Sequence, residues 1–247
     1  PLSSFLTYLK QKEKQKMKKY NAVIFDLDGT LLNSLQDLAT STNYALQRHG
    51  YPTHELPAFR YFVGNGIDKL LERALPEAER SRENVLKIRE DFMAYYAEHK
   101  ADFTAPYDGI CELLKTLKRH QLLLAVASNK YHAATQELIP EYFGEGVFDF
   151  VYGQREGIPA KPNPTIVFDI MKEAGAKSVR ACASHCVMSG PASERVQDSA
   201  LEEIVFTDSI PYSNRCAKVK QLSVADMIAE TIRRVINNES ISSQYLV

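Results

Sequence analysis

Two aspartates two positions apart, Asp26 and Asp28, stand in the string FDLDGTLLNS where an apolar run stops. Carboxylates spaced this way at a strand end let one side chain attack phosphorus while its neighbour protonates the leaving oxygen and later activates water. A carboxylate approaching a phosphate dianion needs that charge neutralised, which calls for a magnesium ion (Mg2+) beside the pair. Gly29 permits the tight turn that follows them; the plain alternative is an Asx turn closing a strand. Two more strand ends carry reactive groups. In VASNK, Ser128 and Asn129 offer a small hydroxyl and backbone amides to a phosphoryl oxygen, although Ser-Asn after a strand is equally an ordinary helix N-cap. In PAKPNP, prolines stiffen the loop around Lys161, whose ammonium could offset charge on both a nucleophile and a transferring phosphoryl group; the alternative is a solvated surface lysine. Cys182, His185 and Cys186 invite a metal reading, but a zinc site wants about four ligands and no second pair is apparent, so strand cysteines are the simpler account.

The elements that must position these groups read as a Rossmann-like α/β fold with a parallel sheet. Ala22 to Leu27 is a short β-branched and aromatic run suited to a buried parallel strand. A helix is expected from Ser34 to His49, with Ser34 as N-cap, Asp37 three residues on and Gly50 past its end. Helical stretches around Ile67–Ala74 and Arg82–Lys100 follow with no strand between them, so residues 34–103 read as a helical cap inserted after the first strand. Beyond it, helix 110–120, strand 122–127, helix 132–138, strand 148–152 and helix 164–174 alternate, as parallel sheets with helices on both faces do. In such sheets ligands collect at the shared carboxyl edge of the strands. Residues 17–33 and 104–175 therefore form the core. Strands at 179–187 and 203–207 and a helix over 224–236 complete the chain.

Composition excludes some function classes. Thirty basic and 31 acidic side chains give a net charge of −1, so no global field draws the protein to nucleic acid or a membrane surface. No run approaches the ~20 apolar residues of a membrane span. Four cysteines, Cys111, Cys182, Cys186 and Cys216, without a disulfide-framework spacing suit a reducing cytoplasm. Residues 1–16, mildly apolar and then basic, read as an appendage, a frayed helix or disordered, ahead of a domain that starts near Met17.

The order and approximate spacing of Asp26, Ser128 and Lys161 resemble the first three motifs of the haloacid dehalogenase (HAD) superfamily, and the helical insert is similar to its mobile cap. DLDGTLLNS, the Val63-Gly64-Asn65-Gly66 turn, ASNK and GIPAKPNP narrow the likeness, over about residues 17–175, to phosphoglycolate and sugar-phosphate phosphatases. The resemblance implies a phosphatase for a small phosphorylated metabolite, with Asp26 as nucleophile and magnesium ligand. It makes Asp28 the general acid/base, its backbone carbonyl on magnesium, and Lys161 the neutralising cation. Ser128 and Asn129, with Thr30 and the cap residues Gly64, Asn65 and Gly66, would meet substrate.

The likeness stops near Gly175. The superfamily's fourth motif, an acidic cluster, should follow the lysine, yet the chain carries no acid between Glu173 and Glu194 and delivers Ser184, His185 and Cys186 there. Asp208 and Glu194 are the alternatives weighed as replacements. From GAKSVRACASHCVMSGPASERVQ onward the chain instead resembles the carboxy-terminal end of ribose-phosphate pyrophosphokinases (PRPP synthetases), with the joint near Met171–Lys177. This implies a chimera, whose transplanted strands could supply the last two of the sheet, and contact between residues 176–247 and PRPP synthetase subunits.

Overall fold

The computed structural model describes residues 20–213 and 215–241, so the expectation for residues 1–16 lies outside them. The chain divides into two compact units, Tyr20–Gly175 and a carboxy-terminal unit beginning at Ala176.

In the first unit, β1 (Ala22–Phe25), β4 (Leu123–Tyr131) and β5 (Phe150–Gln154) form a parallel sheet in the order β1-β4-β5. The registers Phe25↔Val126 and Val126↔Val151 level the strand ends, so the chain leaves β1 at Asp26 beside the end of the central strand. β4 runs four residues past its expected end because Ala127, Ser128 and Lys130 remain buried. Its outer part passes so close to β5 that a Cβ on Gly153 would meet the Lys130 carbonyl and Thr135 Oγ1, each at 2.6 Å. Helices α5 (Ile110–Arg119), α6 (His132–Phe143) and α7 (Thr165–Glu173) connect or follow the strands.

A two-residue antiparallel ladder of β2 (Leu32–Asn33) and β3 (Ala105–Pro106) closes the neck of the insert. Between its strands lie α1 (Leu35–Arg48), α2 (Leu56–Phe62), α3 (Ile67–Ala74) and α4 (Arg82–His99). The sequence reading missed α2, whose seven residues give little periodicity and include a proline in the first turn. The four helices bury a core of their own around Leu46, Phe59, Leu71, Ile88 and Phe92. Ser34 does occupy the N-cap position of α1, but it makes no side-chain cap bond. Asp37 turns inward, almost fully buried, and accepts from the Phe103 and Thr104 N–H groups and from Thr104 Oγ1. The pattern taken for a capping box thus pins the outgoing limb of the insert to the returning one.

In the second unit β6 (Val179–His185), β7 (Leu201–Thr207) and β8 (Val219–Leu222) form a parallel sheet of their own in that order, with α8 (Ala192–Asp198) and α9 (Ala225–Ile236). The ladder pairs these strands with one another; from the sequence they could supply the last two strands of the sheet that begins with β1. β8 and α8 go beyond the elements expected from sequence; both are short, and α8 is mostly polar.

Candidate active site

Asp26 leaves β1 with its carboxylate half exposed, and Leu27 N–H holds its Oδ1 at 2.9 Å. Lys161 arrives from the loop after β5 and donates from Nζ to the same Oδ1 at 2.7 Å and to the Ala127 carbonyl at 2.7 Å. An ammonium fixed by two acceptors sits where charge on an attacking carboxylate is offset without reorganisation. Asp26 Oδ2 accepts no hydrogen bond among the described residues.

Asn129 sets that lysine. Its Oδ1 accepts from Lys161 N–H at 2.8 Å, and its Nδ2 donates to the carbonyls of Lys161 at 3.0 Å and Gly64 at 3.2 Å. The side chain expected to hold phosphate is therefore spent on anchoring the Lys161 loop and the Gly64 turn. Ser128, fully buried at the bottom, accepts the Lys130 N–H at 3.0 Å and keeps its own hydroxyl proton for a ligand.

Asp28 is gripped at Oδ1 by the Ser34 hydroxyl and by Lys130 Nζ, the latter at 3.0 Å. By sequence Lys130 is simply the last residue of ASNK, with no role of its own. Only 6% exposed, it also donates to Tyr96 Oη at 2.7 Å, from α4 of the insert. Burial pulls the Lys130 ammonium down, but the Asp28 carboxylate and Tyr96 more than offset this and leave it raised. Burial likewise pushes the Tyr96 phenol up. Neither residue announced itself: a lysine on a strand reads as surface, and Tyr96 sits on the helical stripe that makes it core.

One cavity of about 70 Å³ is walled by Asp26, Asp28, Ser128, Asn129 and Lys130 on one side and by Gly64, Gly66, Ile67, Leu70, Met93 and Tyr96 of the insert on the other. Gly66 takes φ +84°, a conformation that L side chains rarely adopt, and a Cβ there would only touch the Asn129 carbonyl, at 3.7 Å. Thr30 and Asn65 stand outside the lining: Asn65 is exposed and its Oδ1 accepts from Arg73 Nη2 at 2.8 Å. The structure therefore brings together Asp26, Asp28, Ser128, Asn129, Gly64, Gly66 and, through Asp26, Lys161, but not Thr30 or Asn65.

Among the described residues no three His, Cys, Asp or Glu side chains converge as a metal cluster. His185 Nδ1 pairs with Ser209 Oγ at 2.8 Å and Cys186 packs with Phe206, Cys216 and Val219, which answers the metal reading of Cys182, His185 and Cys186. Asp208 accepts the Val224 N–H at 2.9 Å, and hydrogen bonds from Ser223 and Val224 hold its carboxyl below the usual range. It is thus spent on the start of α9.

Residues 23–183 match the family described as haloacid dehalogenase-like hydrolase, and residues 166–246 match the phosphoribosyl synthetase-associated domain. A phosphoglycolate phosphatase of Mannheimia succiniciproducens is 32% identical over 163 residues, 64% of this chain and 73% of that protein. A ribose-phosphate pyrophosphokinase of Porphyromonas gingivalis is 62% identical over 77 residues, 31% of this chain; the chain spans only 25% of that relative's length. Among solved structures, a predicted phosphoglycolate phosphatase from Haemophilus somnus superposes with a TM-score of 0.67 at 25% identity, covering 87% of this chain and 99% of the other. No helix of the described residues is long and apolar enough to cross a membrane.

Proposed function

Because the chain belongs to the haloacid dehalogenase-like hydrolase family, we propose that residues 20–175 hydrolyse a small phosphoric monoester through an aspartyl-phosphate on Asp26. The observation that carries this reading is the Lys161 ammonium 2.7 Å from Asp26 Oδ1, in a carboxylate that lines the same cavity as Ser128. Oδ2 of Asp26 attacks phosphorus as the bond to the leaving oxygen breaks, and that oxygen takes the proton carried by Asp28. Water then attacks the aspartyl-phosphate, giving its proton to Asp28, and the bond to Asp26 breaks to release inorganic phosphate and restore both carboxyl groups. Lys161 offsets charge on the attacking group throughout, and Ser128 donates to a phosphoryl oxygen.

The residues present fit magnesium. The Asp26 carboxylate is half exposed, and the Asp28 carbonyl accepts no hydrogen bond among the described residues. Two protein oxygens suit an ion that keeps several waters and takes the rest of its octahedron from substrate phosphate. When bound, magnesium supplies neutralisation of phosphoryl charge. 2-Phosphoglycolate or a sugar phosphate is the substrate class, a choice supported by the names of the relatives.

Hydrolysis of p-nitrophenyl phosphate and 2-phosphoglycolate, with and without magnesium, tests this. Turnover in both assays that is lost in Asp26→Asn is expected; turnover surviving in Asp26→Asn overturns the nucleophile. A second reading, contact of the carboxy-terminal unit with PRPP synthetase subunits, is favoured by the 62% identity over 77 residues. Capture of a native synthetase by the purified chain tests it, and failure to bind at micromolar concentrations sinks it.

A further inference from the structure

We propose that Tyr96 and Lys130 are positioning residues that latch the helical insert to Asp28, so that the acid is aimed only while Tyr96 is seated; this rests on the phosphatase reading above. Lys130 Nζ spans the two parts of the first unit. It meets Asp28 Oδ1 at 3.0 Å on the core side and Tyr96 Oη at 2.7 Å on the insert side, and its tip lies 5.0 Å from the Tyr96 ring centre. A buried ammonium is tolerated only while paired and hydrogen-bonded, so both partners are required of it. Tyr96 cannot shift alone, because its ring stacks on Phe92 in the insert's own core, with centroids 5.4 Å apart. Movement of the insert away from the core would take the phenol with it and leave the ammonium one partner short.

The effect reaches Asp28 through a single oxygen. Ser34 and Lys130 both donate to Oδ1, and Oδ2 accepts nothing among the described residues. With Oδ1 committed to two donors, the proton delivered to the leaving oxygen is carried on Oδ2. Lys130 thus fixes which oxygen is the acid and where it points, and Tyr96 fixes Lys130. A displacement of about 1 Å in such a group costs on the order of 100-fold in rate.

The test uses the full chain and two esters that need the acid unequally. p-Nitrophenolate leaves without a proton, whereas the alkoxide of 2-phosphoglycolate does not, and kcat/KM reports steps up to that departure. Tyr96→Phe keeps the ring and removes only the hydroxyl. It is expected to lower kcat/KM for 2-phosphoglycolate about 10-fold or more and for p-nitrophenyl phosphate less than about 3-fold, within the range that general acids contribute. Adding Asp28→Asn should then cost less than Asp28→Asn alone costs wild type, since both act on one group. Equal losses on the two esters, or none, overturn the latch. Hydrogen exchange reads the same coupling without turnover: Tyr96→Phe should speed exchange in residues 92–99 and also in residues 28–34. If wild type hydrolyses neither ester, the phosphatase reading fails and exchange alone decides; unchanged exchange at 28–34 overturns the latch.

Discussion

Replacing Asp37 by alanine should cost the first unit far more stability than any exposed acid would. The carboxylate is 1% exposed, and its oxygens accept from Phe103 N–H at 3.0 and 3.1 Å, Thr104 N–H at 2.8 Å and Thr104 Oγ1 at 2.6 Å. Hydrogen bonds to a charged group contribute about 1.5–3 kcal/mol each, and donors left buried lose their full solvation. Thr104 is buried, so its two donors have no water to turn to, whereas Phe103 is 65% exposed and its N–H can be rehydrated. Counting the two Thr104 bonds fully and the third scarcely at all gives a loss of about 3–5 kcal/mol, a large part of a typical domain's 5–15 kcal/mol. Thr104→Val removes the hydroxyl but leaves two backbone donors on Asp37, so only the one bond, about 1.5–3 kcal/mol, is lost there. Denaturant-dependent hydrogen exchange in β1 and β4 measures the first unit by itself. A loss below about 1 kcal/mol in Asp37→Ala, or equal losses in the two variants, would refute the claim that this carboxylate ties the limbs of the insert together.

Gly153→Ala should destabilise the same unit by about 1–3 kcal/mol, because a methyl group cannot be placed 2.6 Å from the Lys130 carbonyl without moving β4 or β5; a drop in thermal midpoint reads it. Asn129→Ala frees the Lys161 loop and the Gly64 turn together, so kcat should fall while circular dichroism stays unchanged. In the second unit, Arg233 and then Arg234 hold the Glu230 carboxyl down at about 2 from its usual 4.5. A depressed carboxyl contributes stability that is present above pH 4.5 and lost as pH falls towards 2, so α9 should loosen within that window. Arg233→Ala should return the Glu230 midpoint, followed by side-chain NMR, towards 4.5.

The reactive edge was legible because it depends on short-range pattern. An apolar run ending in Asp26-Leu27-Asp28-Gly29 declares its strand end, and the proline-flanked Lys161 declares a fixed loop. Partners were not legible, since they depend on packing across large separations in sequence. Asn129 looked like a phosphate ligand, yet its amide bridges to Lys161, 32 positions away. Lys130 meets Tyr96, 34 positions away, through a contact that no local spacing encodes. Ser34 and Asp37 failed as a capping box for a related reason. Propensity placed them correctly at the start of a helix, and tertiary demand then took their side chains for Asp28 and Thr104.

Those same contacts explain why the arrangement in residues 20–175 does not depend on the missing fourth motif. Each reactive group is held by neighbours within that unit: Asp26 by Leu27 and Lys161, Asp28 by Ser34 and Lys130, and Lys161 by Asn129 and Ala127. On the proposed mechanism, the absent acid would have added one more oxygen for magnesium rather than the aim of Asp26 or Asp28. Positioning accounts for a large share of a barrier, up to about 7–11 kcal/mol where the reacting groups are well oriented. A lost carboxylate ligand instead weakens ion binding, and a phosphate dianion arriving with its own oxygens partly restores it. On the proposed mechanism, the first unit alone holds the groups that would carry phosphoryl transfer, and the loss of the fourth motif would be felt in ion affinity.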